Sequence, residues 1–261
     1  MAAKPYVGVT GPVTEGEVEG IIQEFTAAGY TMQSQHLPMV GFLASHKTLN
    51  GPAGNRRYPG VKNLPYLLTQ ADNRVFTTIH YNSREPGLAE QVSKVFDGVY
   101  LEGLCRAIQL NIVWPDVAEV RKIKDRFPSM SIIFQVSRTA MEGKSAKEIA
   151  DGIEKYGDTL AYALIDPSGG ENLEFDVDNS VAVFRELGKR LPSMSIGFAG
   201  SLNGDNVGKK VSELIEKTGT SEFSIDAESG LRDKVTDAHG DDLLNFSKVK
   251  AYLEAAHRVL P

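Results

Sequence analysis

Eight short apolar runs alternate with eight helical spacings of apolar residues along the 261-residue chain, and this alternation predicts an α/β fold built on a parallel sheet. Three runs in the C-terminal half share one order: an apolar strand, a Gly-rich loop at its carboxyl end, then a helical pattern. They are Ala163-Leu164-Ile165-Asp166 followed by Gly169-Gly170, a run ending in Gly200-Ser201-Leu202-Asn203, and Ile225-Asp226-Ala227-Glu228-Ser229-Gly230. The length, with 41% hydrophobic and 24% charged residues, suits one barrel with one substantial core. Eight repeats of this size favour a closed barrel over an open doubly wound sheet, so the expected architecture is a single (β/α)8 TIM barrel domain over residues 1–261. In such barrels the chemistry sits at the C-terminal ends of the strands, and the last two loops commonly hold a phosphate.

Val7, Gly8, Val9 and Thr10 read as the first strand. Thr14 then precedes Val18, Ile21, Ile22 and Phe25 at helical spacing, with Gly29 as the stop. Residues 40–45 form the second strand and feed a long polar loop, residues 48–60, which carries Asn50-Gly51-Pro52, Arg56-Arg57 and Pro59-Gly60. Its length and composition are those of a functional loop. A short helix over residues 61–70 and a strand over 74–80 follow. Residues 88–104 have helical spacing at Val92, Val95, Phe96 and Val99, with Asp97-Gly98 as a break point, and 106–111 form the fourth strand. The remaining helices are expected at 117–127, 146–156, 177–191, 207–217 and 244–259, and the remaining strands at 131–137, 160–165, 195–198 and 223–225.

A net charge of −6, with no cluster of Lys and Arg beyond Arg56-Arg57, argues against a nucleic-acid partner, because phosphate backbones are bound by clustered cations. No leader-like segment and no apolar run of about 18 residues is present, so the expectation is a soluble, cytoplasmic protein with no membrane partner. The lone Cys105 sits between apolar neighbours and reads as a buried structural thiol. Gly143-Lys144-Ser145 resembles the end of a P-loop, but the glycine required five residues earlier is Arg138, which leaves a helix start capped by Ser145. His36, His46, His80, His239 and His257 show no metal-ligand spacing, so no metal is expected.

His46 and His80 lie near the ends of predicted strands, where alternation aims half of all side chains into the mouth. Asp166 is the best acid–base candidate, since it ends an apolar strand where partial desolvation raises a carboxyl pKa; a capping or loop-bracing role is the alternative. Gly200, Ser201, Asn203, Ser229 and Gly230 are candidates for an anion cradle, although tight strand-to-helix turns use glycine for conformational reasons too. Glu228 opposes an anion there unless it turns away or pairs with a base such as Arg232. Arg56 and Arg57 are candidate clamps on an anionic substrate.

These segments resemble phosphoribosylanthranilate isomerases. Residues 198–207 are similar to that family's seventh-strand Ala-Gly-Gly-Leu-Asn-Pro-Glu-Asn-Val, and residues 225–230 to its eighth-strand Val-Asp-Val-Ser-Ser-Gly. Leu164-Ile165-Asp166 with Gly169-Gly170, Ile108-Gln109-Leu110, and Val7-Gly8-Val9-Thr10 match its sixth, fourth and first strands in order. The resemblance implies a monomeric or homodimeric barrel that isomerises a phosphorylated ribosylamine without a cofactor. It also implies that Asp166 is the general acid and that the last two loops hold phosphate. Four positions depart from the pattern. Val7 replaces the basic first-strand Cys, Asn111 a His, Ser201 the second Gly of a pair, and Glu228 the first Ser of a pair. A base relocated to His46, His80 or Glu228 would support a related isomerase or lyase reaction on a small phosphorylated, sugar-derived substrate. The rival expectation, favoured by Val7 and Glu228, is a barrel without catalysis that binds a ligand or serves as a scaffold.

Overall fold

The computed structural model describes residues 2–51, 55–97, 99, 103–168, 176–234 and 242–261. Eight parallel strands close on themselves in chain order: β1 (Tyr6–Thr10), β2 (Leu37–Ser45), β3 (Phe76–Asn82), β4 (Ala107–Leu110), β5 (Ser131–Ser137), β6 (Tyr162–Asp166), β7 (Ser195–Ala199) and β8 (Ser224–Ala227). The seam pairs β1 with β8, setting Gly8 opposite Asp226. Around the strands run α1 (Glu15–Ala28), α2 (His46–Asn50), α3 (Leu64–Ala71), α4 (Leu88–Phe96), α5 (Val117–Arg126), α6 (Arg138–Met141), α7 (Ala146–Glu154), α8 (Val177–Arg190), α9 (Val207–Thr218) and α10 (Phe246–His257).

Local chemistry sets several ends. Thr14 and Glu17 form a capping box on α1, and Gly29, in the left-handed region at φ 97°, closes it. Ser145 caps α7 reciprocally with Glu148, so the Gly-Lys-Ser run is a helix start. Other boundaries differ from the sequence reading. The polar loop begins inside α2, because Ser45 and Thr48 cap each other; residues 52–54 lie outside the described residues. The last helix begins at Phe246, since Leu244 belongs to a two-stranded antiparallel ribbon, β9 (Arg232–Lys234) with β10 (Asp242–Leu244), and Asn245 caps the helix. The third strand ends at Asn82 and not at His80. That shift of two residues keeps the inward and outward sets but sinks His80 below the rim.

The strands separate two apolar shells. Inside, the first residues of three strands, Tyr6, Phe76 and Tyr162, pack with ring centroids 5.5 to 6.1 Å apart and plug the N-terminal end. Outside, alternate residues such as Val7, Val9, Ile225 and Phe198 pack against the helices. Polar interior side chains are thereby left to the opposite end of the barrel.

Candidate active site

Side chains alternate across a strand, so the plug at one end determines which residues face inward at the other. Thr10, His80, Gln109, Gln135, Asp166 and Asp226 are all buried polar or lie at the cavity, each at a strand's C-terminal end or within two residues of it. Most of them line a cavity of about 80 Å³, joined by Glu228 after β8 and by Arg57, Gly200, Ser201 and Ser229 from the loops. Through Asn111, Gln135, Asp166 and Glu228 the cavity shares its wall with a wider groove of about 1190 Å³ over the loops that follow β3, β4 and β5.

Asp166 is held on both oxygens. Gln135 Nε2 donates to its Oδ2 at 2.6 Å, and the Ser168 backbone N–H and Oγ donate to its Oδ1 at 3.2 and 2.9 Å. Its carboxylate is therefore fixed in orientation at the rim. The Gly169-Gly170 loop that follows lies outside the described residues.

Asp226 was not singled out from the sequence, yet its carboxyl is strongly perturbed. Burial pushes its pKa up to about 8; the Thr10 hydrogen bond opposes this, and the charges of Glu228 and Asp166 reinforce it. Thr10 Oγ1 donates to Asp226 Oδ1 at 3.0 Å. The signal was present as alternation: Asp226 stands between outward-facing Ile225 and Ala227, as Gln135 stands between Phe134 and Val136. A raised carboxyl pKa stabilises the fold fully below the unfolded value of about 4, and that contribution is lost as pH rises through the folded value. Asp226→Asn should therefore lose less stability than wild type between about pH 6 and about pH 9 in urea melts. Parallel pH profiles would show that the carboxyl is already ionised at the lower pH.

His80 is 2% exposed, and burial holds its imidazole neutral by pushing its pKa down to about 3. Its Nε2 has no partner among the described residues. Gly41 makes the room: a Cβ there would lie 2.5 Å from Thr10 Oγ1 and 2.6 Å from His80 Nε2. His46 is placed differently. It opens α2, its ring meets Asn50 Nδ2 at 3.2 Å, and it does not line the cavity, because β2 ends one residue before it.

Glu228 points into the cavity wall and pairs with Arg57 at 3.0 Å, while Arg232 donates to the Gly11 carbonyl. Arg56 is exposed and does not line the cavity. Gly200 and Ser201 do line it, both at positive φ (131° and 53°), and the Ser201 Oγ is buried with no partner among the described residues. Asn203 instead braces its own loop, its Oδ1 accepting the N–H groups of Asp205 and Asn206 at 2.9 and 3.1 Å. Gly230 serves packing, since a Cβ there would collide with the Leu202 carbonyl. Val7, at the position of the resembled family's base, packs in the outer shell, so even a Cys there would face the helices and not the mouth. Among the described residues no group of three or more His, Cys, Asp or Glu is arranged to hold a metal ion, and no helix is long and apolar enough to cross a membrane.

No family model and no curated protein sequence matches the chain. Solved structures do match along nearly its whole length. The catalytic domain of a Pyrococcus furiosus chitinase aligns at 12% identity and TM-score 0.58, covering 99% of this chain and 97% of that one. A native KDPGal structure aligns at 14% identity and TM-score 0.56 over 99% and 98%. The tryptophan synthase alpha subunit of Legionella pneumophila str. Paris aligns at 11% identity and TM-score 0.56 over 98% and 92%. Identities this low carry the architecture alone, and with the closed eight-stranded topology they establish the chain as a (β/α)8 TIM barrel.

Proposed function

We propose that this barrel is a cofactor-free isomerase or lyase, divergent from phosphoribosylanthranilate isomerase, acting on a small phosphorylated, sugar-derived substrate with Asp166 as the acid–base group. The observation that carries the reading is one shared cavity: the oriented Asp166 carboxylate at the end of β6 lines the same space as Gly200 and Ser201 after β7 and Ser229 after β8. A carboxylate fixed by donors on both oxygens is suited to moving a proton at the carbon beside a carbonyl or iminium. Ser201, whose buried hydroxyl has no partner among the described residues, and Arg57 supply donors for an anionic group. Of the two histidines, His80 stays in the reading and His46 leaves it, on the placement described above. The whole chain, residues 1–261, would act as one soluble domain, monomeric or homodimeric.

A reduced, stable analogue of the ketose phosphate formed by the resembled isomerases should bind with micromolar affinity in calorimetry. Arg57→Ala should weaken that binding by roughly tenfold or more, the worth of one hydrogen bond to a charged group. Gly230 replacements are unsuitable probes of the cradle, because they strike the Leu202 carbonyl first. Catalysis is read by deuterium wash-in, followed by NMR, at the carbon next to the carbonyl across a panel of pentose and hexose phosphates in D2O. A second reading, a ligand-binding barrel without turnover, draws on the three carboxyl groups of Asp166, Asp226 and Glu228 around so small a cavity. Binding without wash-in selects it, and absence of both binding and wash-in rejects the phosphosugar reading.

A further inference from the structure

The cavity holds a carboxyl that the acid–base reading of Asp166 does not use. Asp226 lies on β8, two strands from Asp166 on β6, and both line the same space of about 80 Å³. Thr10 Oγ1 donates to Asp226 Oδ1 at 3.0 Å, and the Ala227 backbone N–H also bonds the carboxyl; both oppose the effect of burial without cancelling it. Two glycines keep this row open. A Cβ at Gly8 would come within 2.5 Å of Asp226 Oδ1, and one at Gly41 would sit between Thr10 Oγ1 and His80 Nε2. Beyond Thr10 stands His80 Nε2, buried and unpartnered among the described residues.

We propose that Asp226 is a second catalytic residue of this site, a general acid presented by Thr10 that protonates the substrate's carbonyl oxygen while Asp166 takes a proton from the adjacent carbon. The proposal rests on the isomerase or lyase reading given above. In the isomerase form the balance is complete within the site. The C–H electron pair becomes the C=C bond of an enediol, the carbonyl π pair takes the Asp226 proton, and Asp166 becomes protonated. In the second half Asp166 returns its proton to the former carbonyl carbon. The neighbouring hydroxyl gives its proton to Asp226 as it becomes the new carbonyl, and both carboxyls end as they began.

The surroundings favour the proton-bearing form that such an acid needs. Asp166 from β6 and Glu228 just after β8 face Asp226 with negative charge, Tyr6 from β1 and Tyr252 from α10 are further titratable neighbours, and Arg57 is engaged by Glu228. His80 stays neutral, so it places no positive charge near Asp226 that would draw the proton off. Asp226 is then largely protonated at neutral pH, and its acid role ends as pH rises through about 8.

Asp226→Asn keeps the size of the side chain and an acceptor for Thr10. On the panel substrate that exchanges deuterium, it should lower kcat by about 10²-fold to 10⁴-fold and abolish the alkaline fall of the wild-type profile. Infrared difference spectra should show a protonated-carboxyl carbonyl band in wild type that disappears through the same pH range and is missing from Asp226→Asn. Thr10→Val removes the bond that favours the ionised form, so the alkaline limb should move to higher pH with the fold retained. A merely structural link between β1 and β8 predicts no such movement. An Asp226→Asn enzyme with wild-type kcat and an unchanged alkaline limb, or a wild type without the infrared band at neutral pH, overturns the proposal. Failure of the underlying reading looks different: Asp166→Asn would keep full exchange while the Asp226 band remained.

Discussion

Asp166→Asn should lower turnover by about 10²-fold to 10⁴-fold, the usual worth of a positioned acid–base group, while the barrel stays folded. The side chain ends β6 and takes no part in the apolar core, so an isosteric amide leaves packing unchanged. Its hydrogen bonds are nearly reproducible as well. The amide oxygen can face the two Ser168 donors, and the amide NH2 then meets Gln135, whose own amide can turn to present oxygen. The stability cost is about 1 kcal/mol, that of one rearranged hydrogen bond. The proton transfer through this side chain is lost, since an amide neither accepts nor returns a proton at neutral pH. Deuterium wash-in rates and a thermal melt of the same sample decide the matter. Full exchange in a folded Asp166→Asn protein would remove the residue from the reaction.

The barrel was legible in the sequence because its determinants are local and repeated. Thr14 with Glu17, Gly29, and Ser145 with Glu148 announce helix ends within one turn of themselves. Strand-end positions were equally legible for Asp166, Gly200 and Ser201, since each follows an uninterrupted apolar run. Asp226 was missed for the opposite reason. A single polar residue inside the short run Ile225-Asp226-Ala227 looks like punctuation, and only the closed sheet shows that its two neighbours face the helices. The same parity explains Val7. Likeness of residues aligned it with a family's base, but a strand position one residue from Gly8 faces the other side of the sheet. For His80, misplacing a strand end by two residues preserved direction and lost depth, so a rim candidate became a buried neutral imidazole. Gly230 reads in the sequence as part of an anion cradle, with the conformational needs of a tight turn as the alternative. The reason for glycine there is the Leu202 carbonyl of the preceding loop, a contact between two loops that neither loop's sequence contains.

Phe198→Ala should act through stability first, and through the site only by way of the strand that carries it. Phe198 is fully buried on the outward face of β7. It stacks on Phe184 of α8 at 5.5 Å and meets Phe223, just before β8, edge-on at 5.1 Å, so one ring joins two strands and a helix. Truncation removes the buried ring and leaves a cavity between rigid neighbours, a loss of about 3–5 kcal/mol. For a domain of this size that lowers Tm by about 10 °C. The effect reaches the site because β7 carries Gly200 and Ser201 on its C-terminal end. If the aromatic trio sets the position of that end, the variant's affinity for the ketose phosphate analogue falls along with Tm, and Phe198→Leu, which refills most of the volume, recovers both together. A Phe198→Ala protein that melts like wild type would show that α8 collapses onto β7 and fills the space. One that melts early yet binds normally would show that the loops after β7 and β8 are held by each other, through Gly230 against Leu202, and not by the core beneath them.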